Sequence, residues 1–238
     1  MHSKKQGTLY LLPNFLHAGN GADVLPAGVS HILQHTVHYI AESEKSLRAL
    51  VKKLLPDKDQ SLLQIVLLNE HTSDKVPSEW LKPLLDGHDM ALVSDAGMPC
   101  IADPGHQVVR LCHSRNIRVV PVPGPSSILL LLVGSGFSGQ QFTFHGYLPY
   151  DKNERRLRIQ KMELDVQKTG YTQLFMDAPY RNMKLLQELI EYCKPGTLLC
   201  AGIDLTSEQE QIVMKPISEW KKQAPDMHKR PVMFAIGR

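Results

Sequence analysis

The chain has 238 residues, of which 42% are hydrophobic and 21% charged. That composition excludes a disordered tail and supplies a buried core for one large domain or two small ones. Twenty-seven Lys and Arg against 24 Asp and Glu leave a net charge of +3, which excludes a histone-like polyanion binder but allows a local basic patch.

Lys4-Lys5 followed by Leu9–Leu12 imitates a secretion signal only faintly, because Pro13 ends the apolar stretch and no small-residue cleavage pattern follows. Thr8–Leu12 reads instead as a strand. Further apolar runs at Val37–Ala41, Leu63–Leu68, Met90–Ser94 and Arg118–Val122 alternate with helical patterns at Gly28–Gln34, Glu44–Leu55, Ser78–Leu85 and Gly105–Ser114. Strand then helix, repeated, predicts a mostly parallel sheet covered on both faces. Pro121-Val-Pro-Gly-Pro125 interrupts every regular element and sets the expected boundary between an α/β domain over 1–123 and a second over 124–238.

In the second half a helix at Ser126–Gly134 precedes strands at Phe142–Gly146, Tyr171–Met176, Thr197–Ala201, Gln211–Met214 and Val232–Ile236. Helices are expected at Lys152–Lys168, Asn182–Cys193 and Ile217–Gln223. The polar turn Asp204–Glu210 predicts an antiparallel pair, hence a mixed sheet. The longest strictly apolar run, Ile128–Val133, has six residues, against the roughly 20 that cross a membrane. Cys100, Cys112, Cys193 and Cys200 contain no CxxC pair and read as reduced core thiols, so a cytoplasmic compartment is expected.

The most informative stretch is Ala91-Leu-Val-Ser-Asp-Ala-Gly-Met-Pro-Cys-Ile-Ala-Asp-Pro-Gly105. A buried strand ends at Ser94, and a loop rich in Asp, Gly and Pro follows. In open α/β sheets such loops, at the carboxyl ends of strands, bind ligands. Gly97 and Gly105 permit close backbone approach, and Asp95 and Asp103 can fix the loop or accept donors. An ordinary strand-to-helix turn would have the same chemistry. No GxGxxG follows the first strand and no GxxxxGK[ST] occurs, so dinucleotide and P-loop nucleotide binding are unsupported.

Lys152–Lys161 holds five cations, Lys152, Arg155, Arg156, Arg158 and Lys161, against Glu154. On a helix Arg155 and Arg158 share a face, as do Lys152 and Arg156, giving either an RNA phosphate contact or a solvated face. His31, His35 and His38 have a spacing that zinc sites use, but a strand beginning near Val37 should end that helix, and no metal is expected. Trp80 and Trp220 sit in amphipathic stretches and read as core or interface.

The run V-S-D-A-G-M-P-C-I-A-D-P-G, then V-V-P-V-P-G-P-S-S, then F-H-G-Y-L-P, resembles the tetrapyrrole methylase superfamily, and within it the small-subunit rRNA cytidine-2'-O-methyltransferase branch. Gly7–Leu11 resembles the opening strand of that branch and Glu70-His71 its E-H pair. Phe175-Met-Asp-Ala-Pro-Tyr-Arg181 resembles F-Y-E-S-P-H-R. The resemblance implies an S-adenosyl-L-methionine-dependent methyltransferase of two α/β domains with the cofactor in the cleft between them. It implies that Ser94, Asp95, Ala96, Gly97, Met98 and Ile101 hold the methionine part through backbone groups. Ser126 and Ser127 match a cofactor-contacting helix start, Phe175 and Met176 an apolar strand end against adenine, and Ala201, Pro231 and Val232 the remaining adenine contacts. It also offers Glu42 and Asp177 to orient or deprotonate a hydroxyl and Arg181 to grip phosphate.

Two segments depart from the branch. Its T-P-I-G-N is replaced by Leu12-Pro-Asn-Phe-Leu-His-Ala-Gly-Asn20, and its A-E-D-T-R by Ala41-Glu-Ser-Glu-Lys45. The expected substrate is ribosomal RNA or the small ribosomal subunit, and the expected assembly a homodimer. The alternatives are a tetrapyrrole-like small-molecule methylase and a cofactor-binding protein without turnover. The first lacks support in the absence of a G-x-G-x-G-D loop and a G-D-P.

Overall fold

A computed structural model describes residues 5–17, 19, 21–68 and 76–238. Asn20 and the Glu70-His71 pair lie outside the described residues, as does Lys4 of the signal-like start. The chain forms two compact units, Met1–Ser126 and Ser127–Arg238.

The first unit is built on β1 (Thr8–Leu12), β2 (His38–Ala41), β3 (Gln64–Leu67), β4 (Met90–Val93) and β5 (Arg118–Pro121), in the order β3-β2-β4-β1-β5. Every pairing is parallel. All four residues of β4 are buried, as a strand covered on both faces requires. One face packs on α1 (Ala27–His35) and α2 (Glu44–Leu54) through Val29, Leu33, Leu47, Leu50 and Val51. The other packs on α3 (Lys82–Leu85) and α4 (His106–Ser114) through Leu84, Val108 and Cys112, with Leu81 from the turn before α3. Ser43 caps α2 by accepting from the Ser46 amide, and Lys52 and Lys53 close its last turn against the helix dipole. The stretch expected as one helix over 78–85 opens instead as a 3-10 turn, Ser78–Leu81, and only then becomes α3, with a proline near its start.

The second unit holds α5 (Ser127–Gly134), β6 (Phe142–Tyr147), α6 (Lys152–Thr169), β7 (Thr172–Met176), α7 (Asn182–Tyr192), β8 (Leu198–Ile203), β9 (Gln211–Pro216), α8 (Ile217–Trp220) and β10 (Val232–Gly237). Its sheet order is β6-β7-β10-β8-β9. Only β6 and β7 run parallel; the other pairs, including β8 with β9 around the polar turn, are antiparallel. One face carries α6, α7 and α8, the other α5. Asp151 caps α6 by accepting from Asn153 and Glu154, and Gly170, at φ 75°, ends it in the left-handed region. α8 stops at Trp220, three residues short of the expected Gln223. Trp220 is fully buried and donates to the Leu199 and Lys215 carbonyls at 3.2 Å each, so it is a core residue. All four cysteines are free, and burial pushes the thiols of Cys193 and Cys200 up to about 12.

Candidate functional site

In the first unit β1 and β4 are neighbours, yet β1 leads to β2 on one side of the pair and β4 to β5 on the other. Loops leaving in opposite directions open a crevice at the carboxyl ends of these strands. Asn14 follows β1 there, Glu42 follows β2, and Ser94–Ile101 follows β4.

The loop after β4 has an unusual backbone. Gly97 and Gly105 have φ of 67° and 135°, and two side-chain-bearing residues, Cys100 and Ala102, also lie in the left-handed region at 68° and 63°. Such strain concentrates at ligand sites, where the surrounding structure must hold it. Here the holding residue is Asn14, which is 4% exposed. Its main chain exchanges two hydrogen bonds with Gly97, at 2.8 and 3.2 Å. Its side-chain amide lies 3.0 and 3.1 Å from the Ser94 and Asp95 carbonyls and 3.2 Å from the Ser46 hydroxyl. Gly124 completes the frame, because a Cβ there would fall 2.1 Å from the Pro13 Cβ.

Three carboxylates gather at the same loop. Glu42 accepts from the Asp95 amide at 3.2 Å. Its pKa is raised, by burial first and by the Asp95 charge. Asp103 is pushed up to about 7 by burial and then by the negative charge of Glu42. Among the described residues no ion pair engages Glu42, Asp95 or Asp103. Loop chemistry marks Asp103 as a residue that fixes the loop or accepts donors; its acidity depends on burial, which loop chemistry does not reveal.

In the second unit Phe175 turns its ring into the core, fully buried and stacked on Phe234 at 5.8 Å between centroids. Ala201 and Val232 face the same core. At this strand end the half-buried Met176 points to the opposite face, and Pro231 is exposed. The Pro231 carbonyl accepts from the Asp204 amide at 2.9 Å. Asp177 is 5% exposed and accepts from Arg181 Nε and from the Ala178 amide, each at 2.8 Å. Arg181 is therefore already paired, and its guanidinium lies 5.1 Å from the Tyr150 ring centroid. Ser126, the last residue of the first unit, is buried, and Ser127, the first of the second, is half-buried.

The basic helix needs one correction. Arg155 does not share an exposed face with Arg158: it is 3% exposed and pairs bidentately with Glu188, its Nη2 at 2.7 Å from Oε1. Burial of a guanidinium requires such a partner, and Glu188 lies on α7, out of reach of local spacing rules. Lys152, Arg156, Arg158 and Lys161 remain exposed. The histidine row also breaks up. His31 and His35 meet edge-on at 4.9 Å within α1, whereas His38 in β2 faces His88 at 5.5 Å.

The model of the family described as "Tetrapyrrole (Corrin/Porphyrin) Methylases" matches residues 20–221. The chain belongs to the tetrapyrrole methylase family. This tetrapyrrole methylase is 27% identical, over 97% of its length and 78% of the relative, to ribosomal RNA small subunit methyltransferase I of Escherichia coli O157:H7. It is 30% identical, over 97% of its length and 80% of the relative, to the protein of the same name from Xylella fastidiosa. In fold it matches the crystal structure of the methyltransferase CobJ, with a TM-score of 0.63 at 14% identity over 98% of this chain and 94% of that one. It is a methyltransferase, and S-adenosyl-L-methionine is its methyl donor.

The residues present fit that donor. Its sulfonium and ammonium are cations, and the first unit offers three grouped carboxylates with no cation paired to them among the described residues. The strained loop is exposed at Asp95, Ala96 and Ile101, and half-buried Met98 supplies apolar wall beside it.

Proposed function

We propose that this methyltransferase modifies a ribose 2'-hydroxyl of ribosomal RNA, with the small ribosomal subunit as its partner. The observation that carries the reading is similarity, over nearly the whole chain, to proteins named for small-subunit ribosomal RNA methylation. Ser94, Asp95, Ala96, Gly97, Met98 and Ile101 hold the methionine part of the donor, with Ser126 and Ser127 at the helix start. Met176, the backbone of Phe175 and Ala201, and the Pro231-Val232 pair hold its adenine. When bound, S-adenosyl-L-methionine supplies an electrophilic methyl group.

A hydroxyl becomes a useful nucleophile only as its proton leaves, and Glu42 is the residue suited to take it. Its raised pKa brings it closer to neutrality, where a general base works best. Asp177 has another part. Buried and bonded to Arg181, it orients that guanidinium toward phosphate rather than exchanging a proton itself.

The protein acts in the cytoplasm and as a homodimer. Support for the first is the similarity to proteins named for ribosomal RNA methylation, because ribosomal RNA is found in the cytoplasm. Support for the second is an apolar patch on the second unit: Leu129, Leu130 and Val133 on α5 and Ile212 and Met214 on β9 are all exposed. The two elements adjoin, since a Cβ on Gly134 would fall 2.5 Å from Ile212 Cδ1.

The test is methyl transfer from labelled S-adenosyl-L-methionine in an extract from a strain lacking the gene, with RNA and small molecules counted separately. Label in ribosomal RNA, mapped to a ribose, is the expected result. Label confined to small molecules would overturn the reading.

A further inference from the structure

The second unit carries a surface that the assignments above leave unused. β6 is the outermost strand of its sheet, and three tyrosines stand at the carboxyl ends of β6 and β7. Tyr147 is 60% exposed, Tyr150 83% and Tyr180 64%. Large aromatic faces turned to water mark an interaction surface when they cluster.

These rings are presented by a fixed frame. The Leu148 amide donates to the Met176 carbonyl at 3.2 Å, and Tyr147 is in register with Met176. Arg155 Nη1 donates to the Pro149 and Tyr150 carbonyls, at 2.7 Å each, from its buried pairing with Glu188. A buried ion pair spent on two loop carbonyls fixes the segment that carries Tyr150. The Arg181 guanidinium then packs over the Tyr150 ring from the turn that carries Tyr180, and Asp177 holds it there. Loops after two different strands are thus clamped together with their rings outward.

Positive charge runs along the same edge. Arg158 Nη1 lies 3.5 Å from His145 Nδ1 on β6, and Lys161 is close enough to act on that imidazole, as is one acid, Asp165. Both cations are exposed. Flat rings beside a row of cations match a polymer with unpaired bases and regular phosphates. A duplex hides its base faces, and an acidic peptide has no series of π faces to offer. Single-stranded nucleic acid has both features.

We propose that Tyr150 and Tyr180 form a stacking platform for unpaired bases of single-stranded RNA, with Arg158 and Lys161 on its phosphates. The assignment rests on the RNA-directed reading above and adds to it the form of RNA bound and where it is held.

The test is binding of a labelled single-stranded RNA of about twelve nucleotides, and of the same sequence as a duplex, by fluorescence anisotropy. Tyr150→Ala and Tyr180→Ala are expected to weaken single-strand binding at least about fivefold, the lower end of the range for a lost stacking partner. Tyr150→Phe and Tyr180→Phe, which keep the ring, should stay within twofold of wild type. The salt slope separates the two contact types: Arg158→Gln and Lys161→Gln should each reduce it by roughly 0.7, while the tyrosine variants leave it unchanged. Alanine variants that bind as well as wild type overturn the platform, as does a wild type that prefers the duplex. Labelled methyl transfer by the wild type tells the two failures apart. Labelled ribosomal RNA with normal binding by the alanine variants removes the platform alone. Label only in small molecules removes the RNA reading, and the platform with it.

Discussion

Asn14 and Gly97 exchange both of their main-chain hydrogen bonds, at 2.8 and 3.2 Å, and so join the exits of β1 and β4. Asn14 lies in the segment Leu12–Asn20, which departs from the T-P-I-G-N of the related branch. Its side chain is a polar staple, whose amide reaches two loop carbonyls and Ser46. Asn14→Ala leaves those buried acceptors short of a donor, which costs about 1–3 kcal/mol. The variant should unfold at lower urea and bind S-adenosyl-L-methionine about tenfold more weakly by calorimetry. Equal affinity in a folded variant would mean that the loop holds its shape unaided.

Donor binding should depend on pH through Asp103. Its folded pKa of about 7 lies above the ordinary carboxyl value, so without a cation the folded protein retains a proton that the unfolded chain has lost. Between those two values stability falls as pH rises, because the native state binds more protons there. A cationic ligand favours the ionised form and expels that proton. Affinity for S-adenosyl-L-methionine should therefore rise from pH 6 to pH 8, with an enthalpy that changes with the buffer. Asp103→Asn should flatten the profile; an unchanged profile in that variant would assign the proton elsewhere.

Arg155 and Glu188 should behave as one buried unit. Arg155→Ala strands the Glu188 carboxylate, which the pair holds below its usual value, and should cost about 3–5 kcal/mol in urea unfolding. Replacing both partners together by Met and Leu should recover most of that loss. Arg156→Gln, on the exposed face, should stay within about 0.5 kcal/mol of wild type.

The apolar patch makes a prediction about mass. Val133 is 85% exposed at the end of α5, so Val133→Asp adds a charge without disturbing the core. Light scattering should show a dimer for the wild type and a monomer for the variant. A wild-type monomer at micromolar concentration would remove the dimer.

Most strands were legible because Val, Ile and Leu come in short runs closed by turn residues; Thr8–Leu12 agrees to the residue. The parallel and antiparallel halves followed from helices between strands in one case and a bare polar turn in the other. Long-range polar pairing was the illegible part. Arg155 sits in a row of cations whose local pattern says solvent, and only Glu188, 33 residues away, takes it inside. Asn14 meets its loop 80 residues later. The match to known motifs located the loop after β4, but not the residue that braces it. Phe175 shows the converse, because the motif marks the strand end while its ring belongs to the core.

The order of strands in the second unit also bears on synthesis. β10 is the last of its strands in sequence, yet it lies between β7 and β8 at the centre of the sheet. The nascent unit therefore cannot close as it emerges. β6, β7, β8 and β9 must wait with the flanks of the missing strand bare, and β7 and β8 can meet a wrong partner in that interval. Completion comes in a single late insertion that brings Phe234 against Phe175. Any delay between the emergence of β9 and that of β10 leaves the unit open to chaperones and proteases for its length.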